Sequence, residues 1–201
     1  GDHYGWGWRV PKEVVVYRSI YGATRQYAQW IAAHLHCEAF DLRTIRAKDL
    51  QEYETIIYGG PIYVGELLDV KFLKKNLNIL GHKNLVVFSC GLNDPNDERN
   101  QITIEDQLSE TLTDELMAHI KVFHLRGAID YRKLGVVHKM MMAMTKRSIK
   151  AQDPALRTPD DRHLLVSYGI PRNFRRMDAI RPLLNYVWAL KYESLRSEVV
   201  R

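Results

Sequence analysis

Four short, mostly apolar runs, each ending in a turn of small and polar residues, limit what this chain can become. Glu13-Val14-Val15-Val16-Tyr17, Glu54 to Gly60, Asn84 to Cys90 and Val122 to Leu125 are rich in Val, Ile and Leu rather than alternating with polar residues. Strands of that kind are buried on both faces, as in a parallel sheet covered by helices on each side. Between the runs, apolar residues recur at helical spacing. Thr24 to His36 carries Tyr27, Ala28, Ile31, Ala32 and Leu35, and Leu67 to Leu80 carries Leu68, Phe72, Leu73, Leu77 and Leu80, with Gly81 closing the second helix. A further strand is predicted over Glu38 to Leu42. The order is that of an α/β protein with a doubly wound, five-stranded parallel sheet.

Two stretches exceed that plan. About thirty residues, Gly91 to Lys121, form an insertion after strand four; they begin with the turn-rich GLNDPNDERN and continue into a polar helix near Ile104 to His119. After strand five the pattern predicts a helix from Leu134 to Ser148, an edge strand over His163 to Tyr168, and a final helix from Arg175 to Leu195. No repeat or low-complexity linker divides the chain, so residues 13–201 are read as one domain. A chain of 201 residues buries enough surface, roughly 70% of what it exposes unfolded, to need no disulfide or metal. Cys37 and Cys90 form no CxxC pair and are read as reduced thiols in a cytosolic setting. Residues 1–12 lack an initiator Met and the apolar core of a secretory signal. They are read as an extension without a functional role, its origin left open.

The chemistry concentrates at the strand ends. Ser19-Ile20-Tyr21-Gly22-Ala23-Thr24 joins the first strand to the first helix. A phosphate there meets backbone N–H groups at a helix N-terminus, where the dipole favours negative charge. Ser19 and Thr24 add hydroxyls, and Gly22 permits a close turn. A second loop, Pro61-Ile62-Tyr63-Val64-Gly65 after Gly59-Gly60, offers a flat Tyr63 ring for stacking. A third, Ser89-Cys90-Gly91-Leu92-Asn93, follows strand four. Cys90 has neither a resolving thiol nor a cationic cluster beside it and is read as a packing residue. Open α/β sheets bind ligands where such loops converge. The eight histidines show no metal-ligand spacing, and no GxSxG elbow or Walker motif is present.

The first loop resembles the phosphate-binding loop of flavodoxins, T/S-x-T-G-x-T, with Tyr21 where those proteins commonly carry Thr. That resemblance implies FMN as cofactor, its phosphate on Ser19 to Thr24 and its ring between the second and third loops. Beyond the loops, the insertion, the Arg126-Gly127-Ala128-Ile129-Asp130-Tyr131 turn and the Met-rich basic segment Val136 to Lys150 run in the same order as in menaquinone-dependent protoporphyrinogen oxidases. Likeness to that family implies oxidation of a reduced tetrapyrrole with electrons passed to a quinone, and Arg126 and Arg132 as a basic rim for the propionates. The acidic insertion (Asp94, Asp97, Glu98, Glu105, Asp106, Glu110) and the long C-terminal helix depart from it. A flavodoxin-type electron carrier with no substrate of its own is the alternative.

Charge bears on partners. Residues 1–131 carry 14 Lys and Arg against 18 Asp and Glu, whereas residues 132–201 carry 15 against 6. A basic final third suits an anionic partner or surface. Nucleic acid is disfavoured, because no aromatic platform or recognition helix accompanies the charge. Val137, Met140, Met141 and Met144 form a stripe with two readings: the core face of the last sheet-covering helix, or, with Lys146, Arg147 and Lys150, a face resting on anionic lipid. No apolar run reaches the length of a membrane span, so the expected location is the cytoplasm, with peripheral contact at the inner membrane face under the second reading. Oligomeric state is left open.

Overall fold

The computed structural model describes residues 12–63 and 65–200. Its centre is the expected parallel sheet. β1 (Glu13–Tyr17), β2 (Glu38–Asp41), β3 (Thr55–Tyr63), β5 (Asn84–Gly91) and β6 (Ile120–Arg126) stand in the order β2-β1-β3-β5-β6, all parallel, and the two-residue β4 (Glu66–Leu67) pairs antiparallel with the end of β3. Order reverses beside β1, since the chain moves outward to β2 and then crosses back to β3. The crevice that this reversal opens lies at the carboxyl ends of β1 and β3.

Both sheet faces are dry. Val15, Tyr17, Ile57, Val86, Phe88 and Leu125 pack against Tyr27, Ala28, Ile31 and Leu35 of α1 (Ala23–Leu35), together with Leu183, Leu184 and Val187 near the C-terminus. Val14, Val16, Ile56, Tyr58, Leu85 and Val87 face the other way. There they meet Leu73 of α2 (Lys71–Lys75), Leu80 of α3 (Leu77–Leu80), Leu108 of α4 (Glu98–Thr111) and Leu116 of α5 (Asp114–His119). Two-residue periodicity along each strand makes this division. Glu13, buried in β1, is paired at 2.8 Å with Lys191, which ties the first strand to the last helix, α8 (Arg181–Val200).

Several expectations are corrected. The helix foreseen over Leu67 to Leu80 is broken into β4, α2 and α3. Leu67 pairs back with Ile62, Asp69 takes a left-handed backbone (φ 58°), and the Asn76 side chain donates to the Phe72 carbonyl at 2.8 Å, competing with helical bonding. Gly81 donates its N–H to Leu77 O but with φ −64°, so it caps α3 without the left-handed turn. The insertion holds two helices instead of one. Asp97 accepts from Arg99 N to start α4, and Thr113 accepts from Leu116 N to restart the chain as α5.

His163 to Tyr168 is not a strand; it belongs to α7 (Pro159–Ser167), nucleated by a capping box between Thr158 and Asp161 with Pro159 in the first turn. An apolar triplet such as Leu164-Leu165-Val166 does not distinguish strand from helix, and the cap decides. The short antiparallel pair found nearby is β7 (Ala128–Ile129) with β8 (Arg172–Asn173).

The Met-rich segment, α6 (Val136–Ala151), is the largest departure from the core reading. Val137, Met140 and Met144 are each at least 60% exposed, and α8, not α6, completes the sheet cover. α6 packs against α7 and over the strand ends.

Candidate functional site

At the carboxyl ends of the strands lies a cavity of about 390 Å³, within the usual range for a ligand site. All three loops singled out from sequence reach it. Ser19, Ile20, Tyr21, Ala23 and Thr24 line it from the β1–α1 turn; Pro61, Ile62, Tyr63 and Gly65 from the end of β3; Ser89, Cys90, Gly91, Leu92 and Asn93 from the end of β5. Gly22 does not line the cavity, and Val64 is outside the described residues.

The first loop is built as an anion seat. Gly22 precedes α1 with φ 98°, a backbone state that other residues resist, and no side chain caps the helix. The first-turn amides of α1 therefore keep their donors free for a ligand. Ser19 Oγ accepts from Gly22 N–H at 3.1 Å, which closes the turn and leaves the Ser19 hydroxyl hydrogen available. Arg18, just before the loop, is committed to Asp69 at 2.7 Å and ties the first loop to the segment that follows β4. Tyr21 is turned away from this seat: its hydroxyl bonds His138 Nδ1 and accepts from Gly135 N–H at 3.3 Å. An anion placed here would meet backbone amides and the hydroxyls of Ser19 and Thr24.

The two arginines read as a basic rim have other duties. Arg126 donates from Nε to the Leu92 carbonyl at 2.8 Å and stacks 3.8 Å from the centre of the Phe174 ring, which buttresses the third loop. Arg132 is largely exposed and paired with Asp130 at 3.0 Å. Neither lines the cavity, and among its described lining residues no side chain is a Lys, Arg, Asp or Glu. Burial pushes the Cys90 thiol up to about 12, so it stays protonated.

Sequence reasoning missed the histidines. His138, Met141 and Met142 line the cavity from α6, and the His138 ring stands edge-on to both Tyr21 and Tyr63, at 5.2 and 4.7 Å. Their i, i+3, i+4 spacing was available as a signal, one rotation away from the stripe chosen. His124 enters from β6, where it continues the inward series Ile120, Val122 and breaks its apolar character. Desolvation holds its imidazole below the ordinary range, opposed in part by Glu105.

That depression makes the stability of the fold depend on pH. An unfolded chain protonates His124 near its usual pKa of ~6.5, whereas the native chain resists until lower pH. The contribution is complete above ~6.5 and is lost as pH falls from there, with a slope of at most ~1.4 kcal/mol per unit. Urea denaturation between pH 7.5 and 5.5 is expected to show His124→Gln losing less stability on acidification than the parent chain. Parallel losses would remove His124 as a contributor.

A family model described as a flavodoxin domain matches residues 14–155. No curated protein matches the chain. Among solved structures, oxidised flavodoxin 2 from Bacillus cereus is 23% identical, with 57% of this chain and 84% of that one covered and a TM-score of 0.41. A flavoprotein in complex with FMN from Lactobacillus acidophilus is 15% identical, covering 58% and 92%, with a TM-score of 0.40. The Trp repressor binding protein from Bacillus subtilis is 16% identical, covering 58% and 83%, with a TM-score of 0.43.

Proposed function

This chain belongs to the flavodoxin domain family, and from that premise we propose that it is an FMN-dependent oxidoreductase acting on a reduced tetrapyrrole and passing the electrons to a quinone. FMN fits the residues present. The amides and hydroxyls of Ser19 to Thr24 would hold its phosphate, Tyr63 would lie against its ring, and the backbone of Ser89 to Asn93 would border the pyrimidine side. The cofactor, once bound, supplies the hydride and electron transfer; the protein binds, orients and shields.

The observation that carries the enzymatic reading is the placement of α6. Leu134, His138, Met141 and Met142 turn a crevice between loops into a cavity with an apolar wall. A carrier needs its flavin edge open to a partner protein, whereas a wall of Leu and Met suits a flat apolar co-substrate. The carrier reading draws on a different observation, the lack of a charged side chain among the described lining residues, which leaves no fixed cation for a propionate inside.

An anaerobic assay separates the two. FMN-loaded protein is expected to oxidise protoporphyrinogen with a menaquinone analogue as acceptor, followed at the flavin band. No turnover, with rapid electron exchange from a flavodoxin reductase, would establish the carrier instead.

Quinones reside in lipid, and the outer face of α6 suits a membrane surface. Among the described residues no helix is long and apolar enough to cross a membrane. Instead Val136, Val137, Met140 and Met144 form an exposed arc of α6, bordered by Lys139, Lys146, Arg147 and Lys150, and the helix contains no acidic residue. Such a face binds anionic lipid through apolar insertion and charge together. Vesicles containing phosphatidylglycerol are expected to sediment the protein, and reversing Lys146, Arg147 and Lys150 to Glu to weaken binding on the order of a hundredfold or more, at about 1 kcal/mol per cation removed. Equal sedimentation of parent and variant would remove this face from the proposal.

A further inference from the structure

Two side chains line the cavity without any part in seating a phosphate. Ser89 of β5 and His124 of β6 are register partners, so the alternation that turns Leu85, Val87, Ile120 and Val122 into the α4-side core brings them together at the strand ends. Ser89 Oγ lies 2.8 Å from His124 Nδ1. The serine is 1% exposed and the imidazole side chain 11%. On the far side of the ring, Nε2 is buried with no hydrogen-bond partner. It faces Glu105 of α4, whose carboxylate oxygen is 4.0 Å away and whose side chain is half in solvent.

An orphaned ring nitrogen in a core is destabilising, and an aliphatic residue fills such a position without that penalty. The three groups make a line from solvent to cavity: Glu105 at the surface, His124 between, Ser89 at the wall. Glu105 is the charged group that acts on His124 from the packed helices; β5 presents Ser89, whereas Cys90 belongs to the other sheet face, and the other imidazole of the cavity, His138, comes from α6.

We propose that His124 is a proton-uptake site for the cavity, taking a proton at Nε2 by way of Glu105 when negative charge is placed there, with Ser89 carrying the resulting charge to the cavity wall as a hydrogen bond. This rests on the FMN reading. In the neutral ring the hydrogen sits on Nδ1 and is donated to Ser89 Oγ, which leaves the serine hydroxyl hydrogen free to point into the cavity. When a two-electron reductant puts charge into the cavity, one proton from water bonds to Nε2. The imidazolium then donates more strongly through Nδ1, which polarises the serine hydroxyl toward the new charge. One N–H bond forms at Nε2 and one O–H bond breaks, that of a hydronium ion that reverts to water; Glu105, protonated and released in passing, ends as the carboxylate it was. Isolation from water, which disfavours the charged ring beforehand, is what makes the uptake respond to the cavity.

The test uses FMN-loaded protein labelled with ¹⁵N-histidine, at pH 7, oxidised and then reduced with dithionite under argon. His124→Gln identifies the resonance by its loss; should that variant not fold, Ser89→Ala shifts the same resonance. The expected result is a neutral His124 in the oxidised sample and a protonated one after reduction. An indicator dye should record one more proton taken up per flavin by the parent chain than by His124→Gln. Glu105→Gln should move that extra uptake to lower pH with the flavin retained, and Ser89→Ala should diminish the uptake per flavin bound. A His124 resonance that stays neutral while the flavin bleaches, or equal proton uptake in parent and His124→Gln, overturns the proposal. A chain that takes up no FMN defeats the cofactor reading and this inference with it, whereas a yellow protein with a silent His124 defeats this inference alone.

Discussion

Thr24→Asp is expected to abolish FMN binding while leaving the fold intact. Thr24 is 2% exposed, lines the cavity and sits in the first turn of α1, beside the uncapped amides that would receive the phosphate. A carboxylate there adds like charge within a few ångströms of a dianionic group. At about 4 Å and an effective dielectric near 20, one such pair costs ~4 kcal/mol, so the dissociation constant should rise about a thousandfold. The helix itself tolerates Asp in its first turn, because the dipole favours negative charge at that end. Thr24→Asn, nearly the same size but neutral, serves as control and should stay within about tenfold of the parent. Fluorescence titration with FMN, alongside thermal melts of the apoproteins, distinguishes lost binding from lost structure. An Asp variant that binds FMN as the parent does would overturn the assignment of the first loop.

The second large effect concerns the floor beneath the loops. Gly59 of β3 has Phe88 of β5 as its register partner, and the ring lies directly over it. A Cβ at position 59 would fall 1.9 Å from Phe88 Cζ and 2.3 Å from both Cε atoms. Phe88 is wholly buried, with no room to swing aside. Gly59→Ala should destabilise the protein by about 3 kcal/mol, the upper range for overpacking. At this chain length that lowers the melting temperature by roughly 6–12 °C. Shortening the ring should recover part of the loss. The double variant Gly59→Ala/Phe88→Leu is expected to be more stable than the sum of its single changes, with a coupling of about 1–2 kcal/mol. Additivity would show that the clash is relieved by backbone movement elsewhere.

The sheet was legible because burial on both faces leaves a simple trace. Val14-Val15-Val16, Ile56-Ile57 and Leu85-Val86-Val87 have no solvent-facing partner to break their run, and β-branched residues suit such strands. The loops were legible because each follows directly on a strand end, so the parallel order brings them to one cavity. Legibility failed where local signals competed with contacts distant in the chain. Leu67 to Leu80 has helical spacing, yet Leu67 closes against Ile62 and the Tyr58 hydroxyl takes the Leu68 carbonyl, bonds that no periodicity reports. On α6, methionines occupy several faces, and its orientation depends on Tyr21 and Tyr63, more than seventy residues earlier in the sequence. Arg126 reads as a surface cation until Phe174 and the Leu92 carbonyl are seen to claim it.

The raised pKa of Cys90 has a consequence for life beside a redox cofactor. Reduced flavins that meet oxygen release peroxide, and peroxide attacks thiolates rather than thiols. A thiol whose proton is retained throughout the neutral range, packed against Gly127 and joined to no other cysteine among the described residues, gives that oxidant almost nothing to react with. A flavin seated in this cavity can thus meet air without a sulfenic acid forming on the thiol beside it.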